Sequence, residues 1–161
     1  MITIRKAVVE DVAQITGIFN ESVTPVWSDA SIQSELEKND SYFIVAVCND
    51  SGDTRNLSPC VLGFAVIRQV GDDGELLQIA TCKTALRKGV GNALMNAIID
   101  YSATKNFSSI FLEVRVNNFA AIKLYEKHGF KTVRIRKDYY DAPVEDAIVM
   151  VFVPEHSERK N

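Results

Sequence analysis

Residues 86–125 constrain the fold more than any other part of the chain. A basic, glycine-bearing turn, Arg87-Lys88-Gly89-Val90-Gly91, leads into apolar residues at Val90, Ala93, Leu94, Ala97, Ile98 and Tyr101, the spacing of a helix buried along one side. Ile110, Leu112, Val114 and Val116 then alternate with Phe111, Glu113 and Arg115, the period of a strand with one apolar face and one that carries charge. Glu113 and Arg115 therefore share a face. Asn118 follows as an N-cap for a short helix through Tyr125 and Lys127, with Gly129 placed to end it in the left-handed conformation. A glycine-opened helix, a strand and a second helix in this order call for helices layered on a sheet.

The rest of the chain supplies the remaining strands. Ile2, Ile4 and Ala7 with Val8 read as a first strand, and Val12, Ile15, Ile18 and Phe19 recur at helical spacing behind Glu10 and Asp11. A shorter helix starts near Ser28, an N-cap after Pro25-Val26-Trp27, and carries Ile32 and Leu36 on one face. Residues 42–48 and 61–70 are apolar strands joined by a polar, turn-rich hairpin loop at 49–59. Gly71-Asp72-Asp73-Gly74 turns the chain into a strand at 75–81, and 130–136 and 146–153 are closing strands around a polar, aromatic stretch with Tyr139, Tyr140 and Pro143. The expected fold is α/β, a mixed central sheet with helices on both faces, in one domain over residues 1–154 with a polar tail at 155–161.

Composition narrows the function classes. A chain of 161 residues with 47% hydrophobic content supports one ordinary core, and a net charge of -3 argues against general nucleic-acid binding. Any phosphate site must be a local patch. Cys48, Cys60 and Cys82 are odd in number and form no Cys-x-x-Cys pair, so neither a disulfide framework nor a zinc site is expected, and a reducing, cytoplasmic setting fits. His128 and His156 have no Cys, Asp or His at metal-ligand spacing, so no metal is expected. The first residues alternate like a strand, without the apolar stretch of a signal peptide, and no run approaches a membrane span.

Three parts of residues 86–125 bear chemistry, each with a plainer alternative. Glycines at a helix start let backbone N–H groups approach an anion with the helix dipole behind them, although a tight structural turn also uses Gly-x-Gly. The turn is neither a Walker motif nor a full dinucleotide fingerprint. Glu113 in an apolar strand is either a cleft carboxylate or half of an ion pair with Arg115 or a nearby Lys. Tyr125 lies on the apolar side of its helix near Ala121 and Leu124, as a core tyrosine or a proton donor. Trp27, Tyr139 and Tyr140 either pack or line a substrate groove.

The order of these parts resembles the GNAT superfamily of acetyl-CoA-dependent N-acetyltransferases over nearly the whole chain. Arg87-Lys88-Gly89-Val90-Gly91-Asn92-Ala93-Leu94, Leu112-Glu113-Val114-Arg115, the segment from Asn118 to Tyr125, and Gly129-Phe130 carry the resemblance. Trp27-Ser28 and Arg136-Lys137-Asp138-Tyr139-Tyr140, leading to residues 145–150, make it most like the RimI group, the ribosomal-protein-alanine N-acetyltransferases. The resemblance implies a GNAT, or acyl-CoA N-acyltransferase, fold with acetyl-CoA as cosubstrate. It implies Glu113 as general base and Tyr125 as general acid. The amides of Arg87, Lys88, Gly89, Val90, Gly91 and Asn92 would hold the CoA pyrophosphate, Asn118 would contact the CoA arm, and Ile79, Ala80 and Thr81 would pair with the pantetheine. Leu86 stands where the superfamily usually has Gln or Arg, and Thr81 and Cys82 replace a more usual Val and Asp.

On this reading the acceptor is the N-terminal amine of a protein, framed by Trp27, Tyr139 and Tyr140. A small-molecule amine acceptor and a non-catalytic CoA-binding subunit are the alternatives. The expected assembly is a monomer or weak homodimer without membrane contact.

Overall fold

The computed structural model describes residues 1–22, 26–49 and 59–155. Among the described residues there are seven strands and four α-helices, and the chain divides into two compact units, one of residues 1–68 with 78–98 and one of residues 69–77 with 99–161. Their strands mix antiparallel and parallel pairing, the α/β class expected.

In the first unit β1 (Ile2–Lys6) lies antiparallel to β2 (Ser41–Cys48), which lies antiparallel to β3 (Cys60–Val70). Phe43, Ile44, Val45, Ala46 and Val47 are all buried, so both faces of β2 are covered and its run is continuously apolar rather than alternating. Helix α1 (Val12–Ser22) buries Val12, Ile15, Ile18 and Phe19, with the Phe19 ring 4.7 Å from that of Phe64 on β3. Helix α3 (Val90–Thr104) approaches β3 at Gly63, next to Phe64. Successive strand residues face opposite ways, so α1 and α3 cover opposite faces. The close approach needs a glycine. A Cβ at Gly63 would fall 2.7 Å from the Ala80 carbonyl oxygen and 2.9 Å from Val90 Cγ1.

Helix α2 (Asp29–Leu36) begins where Ser28 Oγ accepts the Ser31 N–H at 3.1 Å, the cap read from the sequence. Ile32 is buried beneath it. Two carboxylates are buried in this unit, each with cations. Asp11 takes a forked contact from Arg5 at 2.7 and 2.9 Å, and Glu35 accepts from Arg68 at 2.6 Å and Lys38 at 3.0 Å. Residues 50–58 of the expected hairpin loop lie outside the described residues, but the strands on either side do pair antiparallel, with Cys48 opposite Cys60.

The second unit takes in the first residues of β4 (Asp73–Thr81), which pair parallel with β5 (Ile110–Arg115) at Gly74–Ile110 and Glu75–Phe111. A strand–helix–strand crossover through α3 gives this parallel pair. β5 lies antiparallel to β7 (Val144–Phe152), and β7 antiparallel to β6 (Lys131–Asp141). Helix α4 (Phe119–Lys127) is capped by Asn118, whose side-chain oxygen accepts the Ala121 N–H at 3.2 Å, and Gly129 follows it at φ +93°. Phe130 then packs between Tyr125, at 5.8 Å, and Phe152, at 5.5 Å.

The closing hairpin corrects the sequence reading. Tyr139 and Tyr140 belong to β6 rather than to a loop, because both closing strands run on to the turn at Ala142 and Pro143. An irregularity between Arg136 and Tyr140, with Asp138 at φ +51° and its N–H held by Asp146 at 2.9 Å, absorbs the polar residues that broke the alternation. Among the described residues no helix is long and apolar enough to cross a membrane. The tail at 156–161 lies outside the described residues.

Candidate active site

The charged face of β5 organises the second unit. Ile110, Leu112 and Val114 are buried while Phe111, Glu113 and Arg115 are half-buried, the alternation expected. Glu113 stands opposite Val149 of β7, and Arg115 opposite Ala147, which also stands opposite Arg136 of β6. Directly opposed residues share a face, so Arg115, Ala147 and Arg136 form one row across three strands. From this row Arg136 reaches diagonally toward the neighbouring row of Glu113 and Val149, bringing Nε to 3.5 Å from Glu113 Oε1.

This overturns one expectation. The cation paired with Glu113 is Arg136, from another strand, while Arg115 pairs with Glu145 at 3.7 Å and lies 4.1 Å over the Tyr140 ring. The strand irregularity also lets the neighbours Tyr139 and Tyr140 meet, edge to face, with ring centroids 5.1 Å apart. The Arg136 guanidinium lies 5.4 Å from the Tyr139 ring centre. Sequence reasoning placed Arg136 in a motif without a role, because its partnership depends on a strand register that local periodicity does not encode.

The electrostatics follow from these contacts. The nearby Glu113 carboxylate is the largest influence on the Tyr139 hydroxyl, followed by burial, and together they raise its pKa. Burial, then the Glu113 charge, raises that of Tyr140 against the opposing charge of Arg115. Tyr125 is 7% exposed, and burial, with a smaller contribution from Tyr140, pushes its hydroxyl well above the ordinary phenol range. It keeps its proton at any physiological pH.

The first unit holds the glycine turn. A short 3-10 turn (Lys83–Ala85) leads to Arg87 at φ +61° and Gly89 at φ +83°, and α3 begins at Val90. The helix's own bonding starts with the Ala93 N–H donating to Gly89 at 3.0 Å, so the Val90 and Gly91 amides before it point out of the helix end, with Asn92 in the same turn. Arg87 and Lys88 are exposed beside them, and Leu86 is exposed as well. Val90, Ala80 and Gly63 are packed together, which ties this helix start to the stretch of β4 at 79–81. The Cys82 N–H donates to the Leu62 carbonyl at 2.8 Å and fixes the end of that strand.

Trp27 is half-buried and stacks on Phe19 at 5.4 Å. It also borders a cavity of about 440 Å³ with Ser31, Ser34, Glu35, Lys38 and Arg68. Within the second unit, Glu113, Tyr139 and Tyr140 come together.

A strand leading through a glycine turn into a helix, then a charged strand and a capped short helix, define the acyl-CoA N-acyltransferase fold class. The chain belongs to the acetyltransferase (GNAT) family, whose model matches residues 12–130. A ribosomal protein bS18-alanine N-acetyltransferase of Escherichia coli strain K12 is 40% identical over 89 residues, 54% of this chain and 60% of that protein. The chain thus matches less than two thirds of that relative's length. An N-alpha-acetyltransferase of Saccharolobus solfataricus is 33% identical over 156 residues, 92% of this chain and 90% of the relative. Among solved structures, the ribosomal-protein-S18-alanine N-acetyltransferase from Escherichia coli superposes with a TM-score of 0.81 at 29% identity, covering 95% of this chain and 94% of that one.

Proposed function

We propose that this chain transfers the acetyl group of acetyl-CoA to the N-terminal α-amine of a protein, such as a ribosomal protein. The observation that carries the reading is the Glu113 carboxylate on the charged face of β5, set beside Tyr139 in a chain of this family. Relatives named for α-amine and ribosomal-protein acetylation support the acceptor class.

The backbone amides at 87–92 receive the CoA pyrophosphate, with Arg87 and Lys88 as nearby cations and the α3 dipole favouring the negative charge. Asn118, besides capping α4, contacts the CoA arm, and Ile79, Ala80 and Thr81 pair with the pantetheine amides. The acceptor amine attacks the thioester carbon, the C–S bond breaks, and the amine's surplus proton passes to Glu113 through a water. The protonated Tyr125 hydroxyl supplies a proton to the departing thiolate.

Magnitudes favour an α-amine. At pH 7 an α-amine with a pKa of about 7.7–8.0 is roughly 10–15% neutral, against ~0.04% for a lysine near 10.4. A single carboxylate base, worth about 10²–10⁴-fold, suffices for the former. Trp27, Tyr139 and Tyr140 contact the first residues of the acceptor.

The test is transfer from acetyl-CoA to peptides beginning with Ala, Ser or Gly, set beside a panel of polyamines and amino acids. Modification of the peptide α-amine supports the reading. Transfer to small amines alone replaces the acceptor, and CoA binding without transfer to any amine overturns the enzymatic reading.

A further inference from the structure

We infer that Arg136 is a positioning residue that holds the Glu113 carboxylate in its working orientation. The inference deepens the proposed function and rests on Glu113 being the base.

Three observations carry it. Arg136 Nε lies 3.5 Å from Glu113 Oε1, close enough for an ion pair but without a hydrogen bond. The Nε atom itself is buried and has no hydrogen-bond acceptor among the described residues, although 41% of the side chain is exposed. A buried donor left in this state lacks a hydrogen bond of its own, and the Glu113 carboxylate is the charged group it pairs with. Third, the guanidinium is braced from the side. The Tyr139 ring centre lies 5.4 Å from the guanidinium carbon, a cation–aromatic contact on the same strand.

Two other arginines lie on this face: Arg134, opposite Val149 in the row of Glu113, makes no ion pair with it among the described residues, and Arg115 is committed elsewhere. Arg115 donates to the Pro143 carbonyl at 3.1 Å and pairs with Glu145, whose carboxylate also accepts the Asn117 N–H at 3.3 Å. Glu113 thus finds its ion-pair partner on β6 in Arg136, and Arg115 of its own strand does not aim it. A carboxylate misplaced by about 1 Å loses up to about 10²-fold in rate, so the aim is as consequential as the group.

Arg136→Gln and Arg136→Lys are to be measured in the full chain with acetyl-CoA and an Ala-initiated peptide, and each again in a Glu113→Gln background. Arg136→Gln lowers kcat about tenfold while the acetyl-CoA KM and the melting temperature stay near wild type, and Arg136→Lys recovers part of the loss. In the Glu113→Gln background neither substitution adds a further loss, because the residue acts through the carboxylate that has been removed. Wild-type turnover in Arg136→Gln, or an equal loss in both backgrounds, overturns the inference and leaves Glu113 as base. Wild-type turnover in Glu113→Gln overturns the base assignment and this inference with it.

Discussion

Arg136 on β6 and Glu113 on β5 meet at 3.5 Å across the intervening strand β7. The contact joins residues 23 positions apart in sequence (136 − 113 = 23), whereas Arg115, two positions from Glu113 on the same face, turns to Glu145. A half-exposed ion pair of this kind, without a hydrogen bond, contributes little to stability, roughly 0–1 kcal/mol. Its consequences should therefore appear in catalysis.

Glu113→Gln should lower kcat/KM for an α-amine acceptor by about 10²–10⁴-fold at pH 7. The deficit should shrink in alkali, where the amine loses its proton unaided. A pH–rate profile of both proteins checks this, and an equal loss at every pH would assign Glu113 to a structural ion pair.

Replacing Tyr125 by Phe removes the proposed donor and retains the ring that packs on Phe130. Turnover should fall by about 10²-fold with the acetyl-CoA KM little changed. Because the folded-state pKa of Tyr125 is raised, the wild-type profile should show no alkaline limb from this hydroxyl below the ordinary tyrosine pKa of about 10. Unaltered turnover in the variant would remove Tyr125 from the mechanism.

Gly63→Ala should weaken both the fold and the coenzyme site. The added methyl meets the Ala80 carbonyl at 2.7 Å and Val90 Cγ1 at 2.9 Å, and both neighbours belong to the proposed cradle. An overpacking cost of about 1–3 kcal/mol is expected, read as a lower unfolding midpoint, together with weaker CoA binding by calorimetry. Normal values of both would mean that β3 and α3 separate freely.

Glu35 should make folding sensitive to acid. Burial opposes its charge, but hydrogen bonds from Arg68 and Lys38 and the Arg68 charge outweigh burial and leave its pKa below the ordinary value. A lowered folded-state pKa contributes stability in full above the unfolded pKa, near about 4.3, and that contribution fades as pH falls through the folded value. Glu35→Gln should therefore unfold more easily at pH 7, by about 1–3 kcal/mol, and its melting temperature should vary less with pH below about 4 than the wild type's. Parallel melting curves across that range would contradict the assignment.

Much of this site is legible from short-range pattern. The period-2 alternation placed Glu113 and Arg115 on one face of a strand, Asn118 and Gly129 bounded α4, and the glycine turn fell at the start of α3. Each of these depends on neighbours within a few residues, where sterics and capping act directly on the backbone. The extent of β6 was not legible, because Lys137 and Asp138 interrupt the alternation and only the ladder to β7, with Asp138 held by Asp146, keeps the strand going.

The sequence by itself determined the α/β class, the caps, the glycine-led helix and the residue types available for proton transfer. Only the tertiary structure decided which charges meet. Arg136 faces Glu113, Arg115 faces Glu145, and Tyr139 and Tyr140 turn toward the same cluster through the irregularity in β6. Periodicity fixes the direction in which a side chain points. Cross-strand register, which sets its neighbour, comes from the packing of whole strands, where a one-residue shift would exchange the faces.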